Sequence, residues 1–297
     1  MATLSNIQNY FITGAMSGFV TLLQPNINAF SYNVKQDGAA LNNVIQVPFA
    51  SANSASNQFN YTTGYVGNNG QIAGKNVTLN TLMYQPWQIN DAESKMLTPA
   101  VIGKQGAIIG RKLAVDFISA SWANVISNAN YTVSSSYSAV GFSSSLAVAN
   151  LDQLANQANW TDGPDNRFLI ANTTLWNALL QNTNIANAYA FGGADAVRYG
   201  KIPAFFGFSP LKTNVTLPAS DNGFICNPNA IVIGMAYHQP QNEAQNLVTS
   251  VRIDDEVSGL VIGYREWYVP ALATTQKIVE VLGGSAVGDS TALIHIK

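Results

Sequence analysis

The chain has 297 residues, of which 47% are hydrophobic and only 10% charged, and its formal net charge is −2. So large an apolar share can build a sizeable core, and it excludes a disordered chain, which would be charge-rich and apolar-poor. The charged share lies well below the roughly 25% of an ordinary soluble protein. It also leaves no basic cluster for reading a nucleic-acid sequence.

No apolar run approaches the roughly 20 residues of a membrane-spanning helix. Polarity comes instead from Asn, Ser, Thr and Gln spread along the whole sequence. These groups are cheaper to desolvate than charges, provided each finds a hydrogen-bond partner. Charge is depleted at the buried centres of protein interfaces, and a near-zero net charge favours association. The composition therefore suits a protein that packs against neighbours; a neutral secreted protein is the alternative reading. The single Cys226 excludes an intramolecular disulfide framework and is expected to be a small buried apolar residue. The first cation is Lys35, which does not fit a secretory leader.

From residue 1 to about residue 45, apolar and amide side chains mix without a strong period. Phe11 to Leu23 is expected to be an arm or a packed segment. Residues 47–90 are rich in Ser, Asn, Gly, Thr and aromatics. Two runs there, residues 59–63 and 77–82, alternate like strands, and Asn69-Gly70 suits a tight turn between them. A two-stranded hairpin is marginal alone in water. One exposing Phe59, Tyr61 and Tyr65 is expected to lie on another molecule.

The clearest helix follows. Thr98 is a good N-cap and Pro99 fits the first helical position. Ile102, Ile109, Leu113, Phe117 and Val125 make an apolar stripe, with Trp122 and Ile126 beside it. The pattern predicts a helix from Pro99 to about Ser127, roughly 43 Å long. Gly103, Gly106 and Gly110 each weaken it by about 1 kcal/mol relative to Ala, but they admit another backbone at close range.

Beyond a Ser-rich stretch, residues 146–159 have helical spacing and residues 162–165 make a turn. Residues 167–171 read as a strand, and Leu175, Trp176, Leu179 and Leu180 as the packed face of a short helix. Buried strands are expected at 202–208 and 230–236. Residues 247–253 and 260–268 flank a polar turn at Asp254, Asp255 and Glu256, and a last strand covers 277–282. The mixture is α+β; without a βαβ series, a doubly wound fold is excluded.

Catalytic signatures fail on inspection. His238 and His295 have no Cys or carboxylate at ligand spacing, so no metal and no cofactor is expected. Gly141 and Ser143 begin a nucleophile elbow that Ser145 breaks. Gly70, Gly74 and Lys75 imitate a phosphate loop, but the glycine spacing is one short and Asn76 stands where Ser or Thr would hold magnesium. The Asp254–Asp255–Glu256 and Asp162/Asp165 carboxylates read as solvated turns. Sequons such as those at Asn76 and Asn214 are expected by chance in so Asn- and Thr-rich a chain. Lys104, Arg111 and Lys112 form a small basic patch, read as a solvated helix face. An enzyme is not expected.

The order of parts is more telling. Trp87, Ile89, Asp91 and Glu93 precede the long helix with Arg111, Leu113 and Asp116. Arg167 to Ala171, Arg198-Tyr199-Gly200, Gly207-Phe208, Leu217-Pro218 and Asn227-Pro228 follow. Gly259-Leu260, Gly263-Tyr264-Arg265 and Gly283 close the series. Over nearly its whole length the chain resembles the tailed-bacteriophage major capsid proteins, whose Hong Kong-type fold is shared with encapsulin shells. The resemblance implies an N-terminal arm (residues 1–44), an extended loop (45–90), and a peripheral domain with a spine helix (91–128 and 246–284). An axial domain (129–245 and 285–297) completes it. It further implies that Phe59, Tyr61, Tyr65 and Lys75 of the loop contact another subunit, and that Ile109, Leu113, Phe117 and Trp122 are the core of the spine helix. The implied partners are the chain itself, as hexamers and pentamers, a separate scaffolding protein, a portal, and double-stranded DNA contacted non-specifically. No membrane is implied. The implied location is the virion, after assembly in the host cytoplasm. An encapsulin-like nanocompartment shell and a secreted glycan-binding or glycan-cleaving protein are the alternatives.

Overall fold

The computed structural model describes residues 6–27, 29–50, 59, 61–63, 72–126, 132–133, 167–182, 202, 204, 207–214, 217, 221–239, 249–288 and 293–296. The expected helix at 146–159, the turns at 69–70 and 162–165, and Tyr65 lie outside the described residues.

The first element is a helix, α1 (Asn6–Ile27), where the sequence shows no strong period. Its buried face alternates large and small residues: Phe11, Ala15, Gly18, Phe19 and Leu23. That face packs along the spine helix α3 (Pro99–Ile126), which the N-cap and apolar stripe do locate. The two helices run parallel, Gly14 lying against Gly103, Gly18 against Ala107, and Ala15 against Gly110. Small residues on both sides let the backbones touch. Ile102, Ile109, Leu113, Phe117 and Trp122 of α3 are all buried.

Both helices cover one face of a six-stranded sheet. Its strands are β1 (Ser31–Ala39), β4 (Thr81–Asn90), β9 (Ile231–His238), β10 (Thr249–Asp254), β11 (Val261–Val269) and β12 (Thr274–Val287). The 14-residue β12 is the axis. Along one edge it pairs with β4 from Thr274–Asn90 to Gly283–Thr81. Along the other it pairs first with β11, as far as Glu280–Gly263, and then with β9, from Leu282–Ala236. The sheet therefore forks at Val281. β1 extends the β9 branch in parallel, and β10 extends the β11 branch.

Four expectations are corrected here. Residues 81–90 were expected in the extended loop, but as β4 they belong to the central sheet, because Leu79 ends one strand and Asn80 turns the chain into the next. Of the expected strand at 59–63, residue 59 is not in a strand and residues 61–63 form a turn. The partner of β3 (Ile72–Leu79) is instead β2 (Asn43–Ala50). β1 and β9 also join this six-stranded sheet, although the expected boundaries assigned them to the arm and the axial domain. Finally, the strand expected at 202–208 is β7 (Phe208–Lys212). Gly207 adopts φ +75 just before it, and pairing with the neighbouring strand begins at Phe208.

A second, five-stranded sheet holds β5 (Thr132–Val133), β13 (Leu293–Ile296), β8 (Gly223–Cys226), β6 (Arg167–Ala171) and β7, in that order. The short helix α4 (Thr173–Gln181) packs on it, and the Asn172 side chain caps its start by accepting from the Leu175 amide at 3.0 Å. Leu175, Trp176 and Leu179 are buried. Trp122 joins the two halves: its ring meets Phe224 edge-on at 5.3 Å and Phe30 at 6.3 Å. Cys226 is fully buried there, and burial pushes its thiol pKa up. Midway along α3, Phe117 fills the space that Gly283 leaves open on β12. Phe117→Asp is expected to cost about 4 kcal/mol or more, since a carboxylate there has neither water nor a partner. A melting temperature unchanged from wild type would contradict this.

Candidate intersubunit surface

The surface best suited to a partner is the β2–β3 hairpin, and its position is set by glycines. On the sheet face away from the helices, Gly234 of β9 and Gly284 of β12 lie side by side. A Cβ on Gly284 would overlap the Thr78 carbonyl oxygen, and one on Gly234 would lie 2.7 Å from the Ile45 side chain. Into this shallow seat the hairpin base puts Ile45, Val47, Val77 and Leu79, all buried against Val232, Ala236 and Leu282. Asn33 Nδ2 locks it by donating to the Gln46 carbonyl at 2.8 Å. Gly284→Val improves strand propensity but is expected to lift the base and cost about 2 kcal/mol or more. Faster hydrogen exchange at residues 43–47 and 75–79 is the measurement that checks it.

Beyond the seat the described hairpin residues are exposed, Gly74, Lys75 and Asn76 among them. Further out, Phe59 is 46% and Tyr61 95% exposed, and their rings meet edge-on at 5.0 Å. Lys75 is thus exposed on β3, and Phe59 and Tyr61 are exposed in the β2–β3 connection, while the four spine residues are in the core. The Gly70–Asn76 imitation of a phosphate loop also ends here. Gly74, Lys75 and Asn76 are strand residues, with no helix N-terminus following them to receive a phosphate.

The remaining polar clusters are internally satisfied. At the fork, Arg265 Nε donates to Glu280 Oε1 at 2.8 Å, and Arg265 Nη2 lies 2.9 Å from His238 Nδ1. They line a shallow cleft of about 390 Å³ with Leu82, Trp267 and Ile278. The Arg265 guanidinium and the Glu280 carboxylate are thus paired with each other. Under α1, Lys277 donates to Tyr264 Oη at 3.0 Å and to Glu266, with the Phe11 ring 5.9 Å from its ammonium. Burial, then the Glu266 carboxylate, raises the Tyr264 pKa. In the β10–β11 turn, Asp255 Oδ2 accepts from the Ser258 amide at 2.7 Å, and Asp254 pairs with Arg252 at 2.7 Å. Among the described residues, no three His, Cys, Asp or Glu side chains are placed to hold a metal ion, and no helix is long and apolar enough to cross a membrane.

No protein-family model and no curated protein matches the sequence. Solved structures do. The chain is similar to one from the capsid of cyanophage P-SCSP1u, with 16% identity and a TM-score of 0.52 over 90% of this chain and 86% of that one. It is similar to a virus-like particle from Pyrococcus furiosus, with 12% identity and a TM-score of 0.53 over 97% and 98%. The mature capsid of bacteriophage PhiM1 matches with 11% identity and a TM-score of 0.50 over 91% and 85%. The fold is therefore one that these capsid and virus-like-particle chains share. More narrowly, the chain has the Hong Kong-type capsid fold, with a long helix packed on a mixed sheet.

Proposed function

We propose that the chain is a major capsid protein of a tailed phage, which tiles with copies of itself into an icosahedral shell around double-stranded DNA. The observation that carries this is the hairpin. Its base is clamped on its own sheet, while in the connection beyond it Tyr61 is 95% exposed and Phe59 is 46% exposed. A lone soluble protein gains nothing from exposing aromatic rings beyond a clamped base; a tiling subunit buries them on its neighbour. In this reading, Phe59, Tyr61, Tyr65 and Lys75 contact the adjacent subunit, and Ile109, Leu113, Phe117 and Trp122 keep the spine straight. The helix-backed sheet is the peripheral domain, and the five-stranded sheet is the axial domain near the five- and six-fold axes. Hexamers and pentamers close the shell by symmetry, with a separate scaffolding protein and a portal as further partners. Assembly takes place in the host cytoplasm, and the protein resides in the virion. Its work is assembly rather than catalysis. A nearly neutral wall suits packaged DNA, whose affinity for protein grows with each Lys or Arg contact.

Light scattering and negative-stain microscopy of the purified chain, with and without the scaffold, test the reading. Closed particles are expected; a strictly small species in both conditions contradicts it. The near end-to-end match to the Pyrococcus furiosus particle supports a second reading, a nanocompartment shell with protein cargo. Nuclease-protected DNA in native particles favours the phage shell, and a co-purifying enzyme favours the compartment.

A further inference from the structure

We infer that the outer stripe of α3 is a socket for the β10–β11 turn of a second copy of this chain. The inference rests on the shell reading and names a contact separate from the hairpin.

On α3, Val101, Lys104, Ile108 and Arg111 follow at three- and four-residue spacing and form one exposed stripe. Val101 is 48% and Ile108 59% exposed. Lys104 and Arg111 flank Ile108 about 10 Å apart along the axis, and neither makes an ion pair with a described residue. Lys112, four residues after Ile108, borders the stripe, but its charge is taken up by Asp116 at 2.7 Å. In a chain with 14 Lys and Arg in all, two unpaired cations around a bare isoleucine are a concentrated signal.

The complement lies at the tip of the β10–β11 turn. Val257 is 91% exposed, Glu256 beside it is exposed and makes no ion pair with a described residue, and Asp254 and Asp255 precede it. The turn is held in shape by Asp255, which accepts from Ser258, and by Gln36 Nε2, which donates to the Gly259 carbonyl at 3.2 Å. A pre-shaped loop loses little freedom on docking. Val257 against Ile108, with Glu256 between Lys104 and Arg111, pairs apolar with apolar and anion with cation.

Within one molecule the two patches do not meet. The turn lies just before Val261, at the start of β11. The start of α3 is tied to the other end of that strand through α2 (Asp91–Ser94), where Tyr268 Oη donates to Asp91 at 2.8 Å. Nine strand residues, roughly 30 Å, separate the two ends. Because donor and acceptor patches differ, the contact is heterologous and propagates around a ring. A polyanion is the competing occupant, but a stripe with an aliphatic between its two cations favours a protein surface.

The test is charge reversal in the full chain, with wild-type particles as the reference. Lys104→Glu with Arg111→Glu, and separately Glu256→Lys, are expected to reduce particle yield at least about tenfold by opposing like charges. Both changes sit on exposed side chains, so the melting temperature of the unassembled chain stays near wild type. Combining all three restores particles to near the reference yield. Normal assembly of either variant overturns the inference. So does loss without restoration in the combination, and a fall in retained nucleic acid alongside then assigns the stripe to the polyanion. A wild-type chain that never assembles sinks the shell reading itself, a result distinct from these.

Discussion

A chain in which residues 51–71 are replaced by Asn-Gly is expected to fold as stably as wild type and to form no particles. The excision joins Ala50 to Ile72, which already face each other as the last pair of the β2–β3 ladder. Asn-Gly is the favoured two-residue closure for such a hairpin. The core contacts of the hairpin, made by Ile45, Val47, Val77 and Leu79, all lie inside the cut and stay in place. Shortening a 21-residue connection to two lowers the entropy of closing it by roughly 2 kcal/mol, so the monomer melts no lower than wild type. What is lost is the exposed Phe59–Tyr61 pair and, on the proposed shell reading, its contacts with a neighbour. Thermal melting reads the first half of the prediction, and negative-stain microscopy reads the second. Intact shells from the shortened chain would remove the loop from the assembly mechanism.

The second large effect separates two glycines on one helix. Gly103→Ala and Gly110→Ala both relieve the helix of a poor former, worth about 1 kcal/mol each. At Gly103 a Cβ meets nothing closer than the Tyr10 carbonyl oxygen at 3.6 Å, an ordinary contact. That variant is expected to gain roughly 2 °C in melting temperature. At Gly110 the same methyl would overlap the Ala15 carbonyl and crowd the Phe19 amide. There α1 must move off α3, loosening the packing of Phe11, Phe19 and Leu23 together. A net loss of about 3 kcal/mol, and a fall on the order of 8 °C, is expected. Equal shifts for the two variants would mean that the helices are not in backbone contact at Gly110.

These glycines also mark where reading a sequence stops working. α3, β6, α4 and β9 are legible because each carries its own signal: a Thr-Pro start, a dense apolar run, or a Trp and leucines at helical spacing. α1 is not. Between Phe11 and Phe19 its contact with α3 is made by Gly14, Ala15 and Gly18, which look like no face until α3 supplies matching small residues. The pairing of β2 with β3 is hidden for another reason. The alternation at 59–63 resembles a partner strand locally, and only the seat at Gly234 and Gly284 selects Asn43–Ala50 instead. As for the intersubunit surface, the aromatics of the loop are visible in the sequence as exposed candidates. The stripe on α3 appears there only as three basic residues, because Lys112 must be seen pairing with Asp116 before Lys104 and Arg111 stand apart.

Composition and local pattern by themselves determined the α+β class, the spine helix, the scarcity of charge and the missing catalytic signatures, since each depends on residue type or on neighbours within a few positions. Tertiary structure alone decided the parallel helix pair, the forked sheet around β12 and the seat of the hairpin. All three are close approaches between segments distant in sequence. Such approaches are set by which side chains are missing, and a glycine carries no record of what will come to occupy its space.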